Sequence, residues 1–120
     1  INKNIEKIEK NLHKDIETVE EARKVAHDMA EGDFSYRIHS SPANPEIAEL
    51  KESLNMFLDE IQKIYSTILS TLDSYKQEDY STRVDLDAKG EMAHLIDGVN
   101  SLGKALSNSA SLIATSLTEK

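Results

Sequence analysis

Four histidines, His13, His27, His39 and His94, are the residues to weigh first for chemistry, because imidazole titrates near neutral pH and binds metals readily. No two stand at the i, i+4 spacing that places a metal-binding pair on one helix face, and no His-Glu-x-x-His occurs. Carboxylates are plentiful, as in Glu17, Glu20, Glu21 and Asp59-Glu60. They are expected on exposed helix faces, with no pocket that would tune one for acid–base work. The chain has no Cys, which removes a thiolate nucleophile, a disulfide framework and any Cys-based metal site. No glycine-rich run is suited to cradling phosphate. The expectation is a protein that is not an enzyme, with no catalytic, cofactor-binding or metal-binding residue and no cofactor. The formal net charge of −8 argues against nucleic acid as a partner and against a polybasic membrane surface, since both need clustered Lys and Arg.

What the residues do carry is periodicity. Aromatics are only 5% of the 120 residues and Trp is absent, while charged residues reach 30%. That composition suits long helices with narrow apolar seams better than a wide core. Apolar residues recur at steps of three and four from Ile1 through Ile5, Ile8, Leu12, Ile16 and Val19 to Met29, which predicts a first helix stopped by Gly32. A second is predicted after Asn44-Pro45, with the stripe Ile47, Leu50, Leu54, Phe57, Ile61, Ile64 (or Tyr65), Ile68, Leu72 and Tyr75. A third begins at about Glu91 and carries Leu95, Val99, Leu102, Leu106, Ala110, Ile113 and Leu117. Its four-three-four steps form an eleven-residue repeat, which relaxes a left-handed supercoil. The serines near the end, such as Ser107 and Ser111, fit a loosely packed helix. No apolar run approaches the roughly 18–20 residues needed to cross a bilayer. The chain opens at Ile1-Asn2 without Met, and its periodicity continues to the last residues, so it reads as a piece of a longer protein.

The connectors, about Gly32–Asn44 and Glu78–Gly90, are longer than an ordinary helix hairpin needs. Extended, each reaches some 40 Å, enough to run back along one helix and start the next parallel to it. Phe34 and Ile38 in the first connector, and Tyr80 and Val84 in the second, are spaced so that both side chains of a pair point the same way. They are the expected anchors on a helix groove; the competing reading is a disordered linker.

The chain also repeats itself. Gly32-Asp33-Phe34-Ser35-Tyr36-Arg37-Ile38 matches Glu78-Asp79-Tyr80-Ser81-Thr82-Arg83-Val84. Glu46-Ile47-Ala48-Glu49-Leu50 matches Glu91-Met92-Ala93-His94-Leu95, and Leu54-Asn55 matches Val99-Asn100, one residue having dropped from the second connector. Glu78 replaces Gly32 in the second copy, so that helix is expected to end differently or run on.

At these residues the chain resembles the HAMP domain, the linker unit of bacterial chemoreceptors, sensor histidine kinases and related transmembrane signalling proteins. Gly32, Phe34 and Ile38 fit the family's connector pattern, and Glu46, Leu50 and Asn55 its second helix. Tyr80, Val84, Glu91, Leu95 and Asn100 fit in the next copy. The likeness covers about residues 16–106. The resemblance implies an all-α fold of long helices and extended connectors, forming stacked parallel four-helix bundles as a homodimer. It divides the chain into the tail of a preceding unit (1–12), unit 1 (13–62), unit 2 (63–108) and the start of an output coiled coil (109–120). Leu50, Leu54, Ile61, Leu95, Val99, Leu102 and Leu106 would form the bundle core. Glu46 and Glu91 would steady the start of the second helix by hydrogen bonding near the end of the first. The run from Asn100 to Leu106 is similar to the helix leading into a chemoreceptor's signalling coil.

The function implied is a relay that passes conformational change, entering at Ile1, from a sensor to an output domain in chemotaxis. Its partners would be a second copy and the adjoining sensor and output domains of the parent chain, in the cytoplasmic portion of an inner-membrane receptor, with no membrane insertion of this segment and no nucleic acid. The alternatives are a static coiled-coil spacer or scaffold and the linker of a sensor histidine kinase. Neither His27-Asp28 nor His94-Leu95 is followed by the basic residue and Pro of a phospho-accepting box, so both histidines are expected on solvated helix faces.

Overall fold

The periodicity resolves into α1 (Asn2–Ala30), α2 (Pro45–Lys76) and α3 (Gly90–Thr118). The structure is a computed structural model describing residues 2–118; Ile1, the expected input end, and Glu119-Lys120 lie outside the described residues. No strand occurs among the described residues, in accord with the all-α expectation. None of the described helices is long and apolar enough to cross a membrane.

The helix ends are set by local chemistry. Asn44 caps α2: its side-chain Oδ1 accepts the Glu46 N–H at 2.8 Å, ahead of Pro45 at the first helical position. α1 closes through two bonds, Asp33 N–H to Asp28 O and Gly32 N–H to Met29 O, both 2.9 Å. That closure needs a left-handed residue, supplied by Gly32 at φ 96°. α2 closes the same way, with Asp79 N–H on Ser74 O at 2.9 Å and Glu78 N–H on Tyr75 O at 3.0 Å. The expectation of a different end for the second copy is therefore corrected. The backbone bonds prevail and Glu78 is held at φ 70°, a conformation costing a non-glycine residue about 1–2 kcal/mol. Glu78→Gly is expected to raise the stability of this unit by about 1 kcal/mol. A urea midpoint that does not move would show that the Glu78 side chain contributes a compensating contact.

The chain divides into two compact units, Ile1–Gln62 and Lys63–Lys120, with α2 contributing its first part to one and its remainder to the other. In the first unit, connector residues His39 and Ser40 meet Glu21 of α1, and Ala43 and Asn44 meet Asp15. Successive connector residues thus meet earlier residues of α1, so the connector runs back along the helix and α2 sets off parallel to it. Val25, Ile38 and Leu58 are buried together, with Ala22, Met29 and Leu54 packed against them. In the second unit Tyr75, Val84, Ile96 and Val99 form the buried cluster, joined by Ile68, Tyr80, Leu86, Ala88 and Leu106. The buried threonine hydroxyls are satisfied within their own helices: Thr18 Oγ1 donates to Lys14 O and Thr71 Oγ1 to Thr67 O, each at 2.9 Å.

Candidate functional site

Each connector is an extended segment locked to a helix by one side-chain amide. In the first unit Asn55 Oδ1 accepts the Ile38 N–H at 2.9 Å, and Asn55 Nδ2 donates to Ile38 O at 3.0 Å. In the second, Asn100 Oδ1 accepts the Val84 N–H at 2.7 Å and Nδ2 donates to Val84 O at 3.0 Å. An extended residue that faces away from any sheet has a free donor and a free acceptor side by side. A primary amide offers the complementary acceptor and donor. The amide satisfies both backbone groups, and the anchor side chain on the same residue drops into the core, Ile38 at 2% exposure and Val84 at 4%. Burying such a side chain contributes about 1.5–3 kcal/mol.

The approach to each anchor is also built twice. Asp33 Oδ1 accepts the Ser35 N–H at 3.0 Å and its hydroxyl at 2.5 Å, and Asp79 does the same for Ser81 at 3.2 and 2.6 Å. The Ser hydroxyl and backbone amide hold both aspartates below the ordinary carboxylate value of 3.8. Arg37 Nη1 donates to Phe34 O and Arg83 Nη1 to Tyr80 O, both at 2.5 Å, folding the guanidinium under the connector. Arg37 goes further, pairing with Asp59 at 2.8 Å and donating to Gln62 Oε1 at 2.8 Å. Tyr80 packs against Tyr75 with ring centroids 6.4 Å apart and tilted 52°, and its carbonyl also accepts the Ser107 hydroxyl at 2.9 Å. Phe34, its counterpart, is partly buried.

The outer half of the first connector is fastened by charge. Glu21 Oε1 accepts the His39 and Ser40 N–H groups, both at 2.8 Å, and Lys51 Nζ donates to Ser40 O at 2.8 Å. Asp15 Oδ1 accepts the N–H groups of Ala43 at 2.7 Å and Asn44 at 2.9 Å. The Ser40 backbone bond is the main cause holding the Glu21 carboxyl below its ordinary value of 4.5, helped by the Ser40 side chain and the His39 amide and opposed by burial. A depressed folded-state pKa stabilises the fold at pH values above the unfolded value, and that stability drains away as pH falls through the folded one. The urea midpoint is therefore expected to fall as pH drops from about 5 to below 4, and Glu21→Gln to flatten part of that fall. An unchanged pH slope in the variant would remove Glu21 from the account.

The expected site residues divide cleanly. Ile38 and Val84 are buried, Phe34 and Tyr80 are partly buried, and Gly32 makes the helix end. Among the expected bundle-core positions Val99 is buried, and Leu54, Ile61 and Leu106 are partly so. Leu50, Leu95 and Leu102 stay 46–55% exposed in the single chain. The intrachain cores use Leu58 and Ile96 instead, which the one-residue-wide stripes missed. The reason is that these helices carry two apolar flanks, and a single seam drawn through them averages the pair. An i, i+4 partner to Leu54 was the available signal for Leu58. Glu46 and Glu91 are exposed in their first turns, with no side-chain bond to the preceding helix among the described residues. At that end of the first connector it is Asp15 that fastens chain to helix. The expectation that Glu21 sits on a solvated face is likewise corrected. No cluster of three or more metal-ligating residues occurs among the described residues, and all four histidines are exposed.

The helix, returning connector, amide-clasped anchor and parallel second helix of the first unit coincide with a family match: residues 18–63 fit the model of the HAMP domain. Residues 18–63 are a HAMP domain. HAMP domains are signal-relay linkers of sensor proteins rather than catalytic domains. The matched stretch contains Glu21, Gly32, Phe34, Ile38, Lys51 and Asn55, and stops one residue past the end of the first compact unit. No curated protein and no solved structure matches the chain.

Proposed function

We propose that the chain is a relay of two HAMP-like units in series, 13–62 and 63–108, working as a parallel homodimer between a sensor and the output domain of a chemotaxis receptor. The observation that carries this reading is the duplicated clasp: Asn100 holds Val84 with the same pair of bonds by which Asn55, inside the HAMP domain, holds Ile38. A static spacer has no need of a returning connector locked to its helix at the same position twice. The second support is the apolar surface each unit leaves uncovered, with Ile16 at 53%, Leu50 at 55%, Phe57 at 49%, Leu95 at 50% and Leu102 at 46% exposure. Two helices cannot cover such stripes; four can, and a second copy supplies them. The chemotaxis assignment rests on the run from Asn100 to Leu106, and the cytoplasmic, membrane-receptor setting on the family.

Bistable packing in such bundles turns a small input displacement into a discrete change. The absence of native Cys makes the oligomer test clean. Ile8→Cys and Ile113→Cys, at positions 65% and 62% exposed in the lone chain, are each expected to form symmetric disulfide dimers under mild oxidation. Exposed Lys104→Cys should not. Disulfides need Cα atoms within about 7 Å, so success near both ends requires a parallel, in-register pair. Failure at both ends would discard the parallel dimer. In the full parent, Phe34→Ala is expected to bias output, which a spacer would not show.

A further inference from the structure

The two connectors share their inner half and differ in their outer half. Up to Ile38 and Val84 they are the same object: Asx turn, folded-under Arg, buried anchor, amide clasp. Beyond the anchors they part. Residues 85–89 of the second connector place Leu86 and Ala88 against the buried cluster that includes Ile96 of α3. The hydrophobics packed against the first cluster, Ala22, Met29 and Leu54, come from the helices and none from residues 39–44. His39, Ser41, Ala43 and Asn44 are exposed and Ser40 and Pro42 half-buried, whereas the half-buried residues of 85–89 are the apolar Leu86 and Ala88. Their fastening is polar, by the carboxylates of Asp15 and Glu21 and the ammonium of Lys51. At the position matching Ile96, one residue after the Leu50/Leu95 pair, the first unit has Lys51.

We propose that residues 39–44 form a polar strap that opens on its own, while the inner connector stays clasped at Ile38, and that the second unit has no equivalent motion. The physical ground is cooperativity. Groups embedded in one close-packed core move together, whereas a segment held at or near the surface by charge-assisted bonds opens locally when those bonds break. Here the bonds of Ser40 are half-buried and those of His39, Ala43 and Asn44 exposed. Added salt screens exposed charges far more than it disturbs an apolar cluster, so strap and core answer to different conditions. In a relay this would let the first unit free the start of α2 without undoing its anchor. The strap itself does not depend on the relay reading.

Amide hydrogen exchange by NMR on the whole chain tests the proposal, and reads the connectors directly rather than any output. Glu21→Ala is expected to speed exchange at His39 and Ser40 by about tenfold, the loss of one charge-assisted bond. The amides of Ile38 and Val84, bonded to Asn55 and Asn100, should keep their rates. On the unmutated protein, raising salt should speed exchange at His39, Ser40, Ala43 and Asn44 while leaving residues 85–89 unaffected. If Ile38 accelerates together with His39 and Ser40 in the variant, the connector moves as one piece and the strap does not exist. Unchanged exchange at His39 and Ser40 in both experiments would show that Glu21 does not hold them, and would equally overturn the proposal. Should Glu21→Ala fail to fold, the salt series stands alone as the deciding measurement.

Discussion

Replacing Asn55 or Asn100 with Ala is expected to cost about 2–3 kcal/mol, since each amide makes two bonds to the backbone of a buried anchor. Each amide satisfies two backbone groups of an anchor residue that is itself at most 4% exposed. Removing it strands a donor and an acceptor in a partly buried setting. Asn55→Asp is the sharper variant. A carboxylate still accepts the Ile38 N–H but has no hydrogen to give Ile38 O, and sets a negative oxygen against that carbonyl. It is expected to be at least as destabilising near pH 7 as the Ala change, despite keeping shape. Asn108→Ala, at an exposed position of α3, should stay within about 0.5 kcal/mol of the parent. Urea unfolding at one fixed protein concentration reads all four, so that any concentration-dependent association cancels in the comparison. A loss under about 0.5 kcal/mol for Asn55→Ala would mean that the clasp follows from the connector's position rather than fixing it.

The clasp marks where the sequence is legible and where it stops being so. Three helices, two returning connectors and the anchors Ile38 and Val84 follow from periodicity and from the repeat, because each rests on a spacing. Asn55 and Asn100 stand out as matched positions, but their role does not, because their partners are backbone atoms that any residue would supply. The same holds for Asp15 and Glu21, whose partners are the N–H groups of residues 39–44. As letters they are two more acids in a chain with 22. Leu58 and Ile96 were hidden for a different reason. Leu58 lies next to Phe57, and Ile96 next to Leu95, so a stripe taking one residue per turn picks the more exposed neighbour. Single-seam patterns suit a helix with one partner, and these helices have a connector and a core on one side and an uncovered apolar face on the other.

Two glycines five residues apart in α3 are expected to respond to Ala with opposite signs. Gly98 has nothing within 4 Å of where a Cβ would stand, so Gly98→Ala should gain about 1 kcal/mol from helix propensity alone. At Gly103 a Cβ would collide with the Tyr75 hydroxyl and ring and with Arg83 Nη1. Arg83 can swing aside, but Tyr75 is only 6% exposed and its hydroxyl donates to Thr82 O at 2.6 Å. Moving the ring breaks that bond and disturbs the cluster that holds Val84, so Gly103→Ala should lose about 1–3 kcal/mol despite the better propensity. The repeat explains why a glycine is tolerated here. Matching Asn55 to Asn100 puts Gly103 at the place of Leu58, and matching Gly32 to Glu78 puts Tyr75 at the place of Met29. Met29 and Leu58 meet in the first core, whereas the second has enlarged one partner and emptied the other. Tyr75→Met together with Gly103→Leu rebuilds the first unit's pair inside the second. The double variant is expected to be more stable than the sum of its single changes by well over the roughly 0.5 kcal/mol that independent sites allow. Strict additivity would show that the two units do not share one packing scheme.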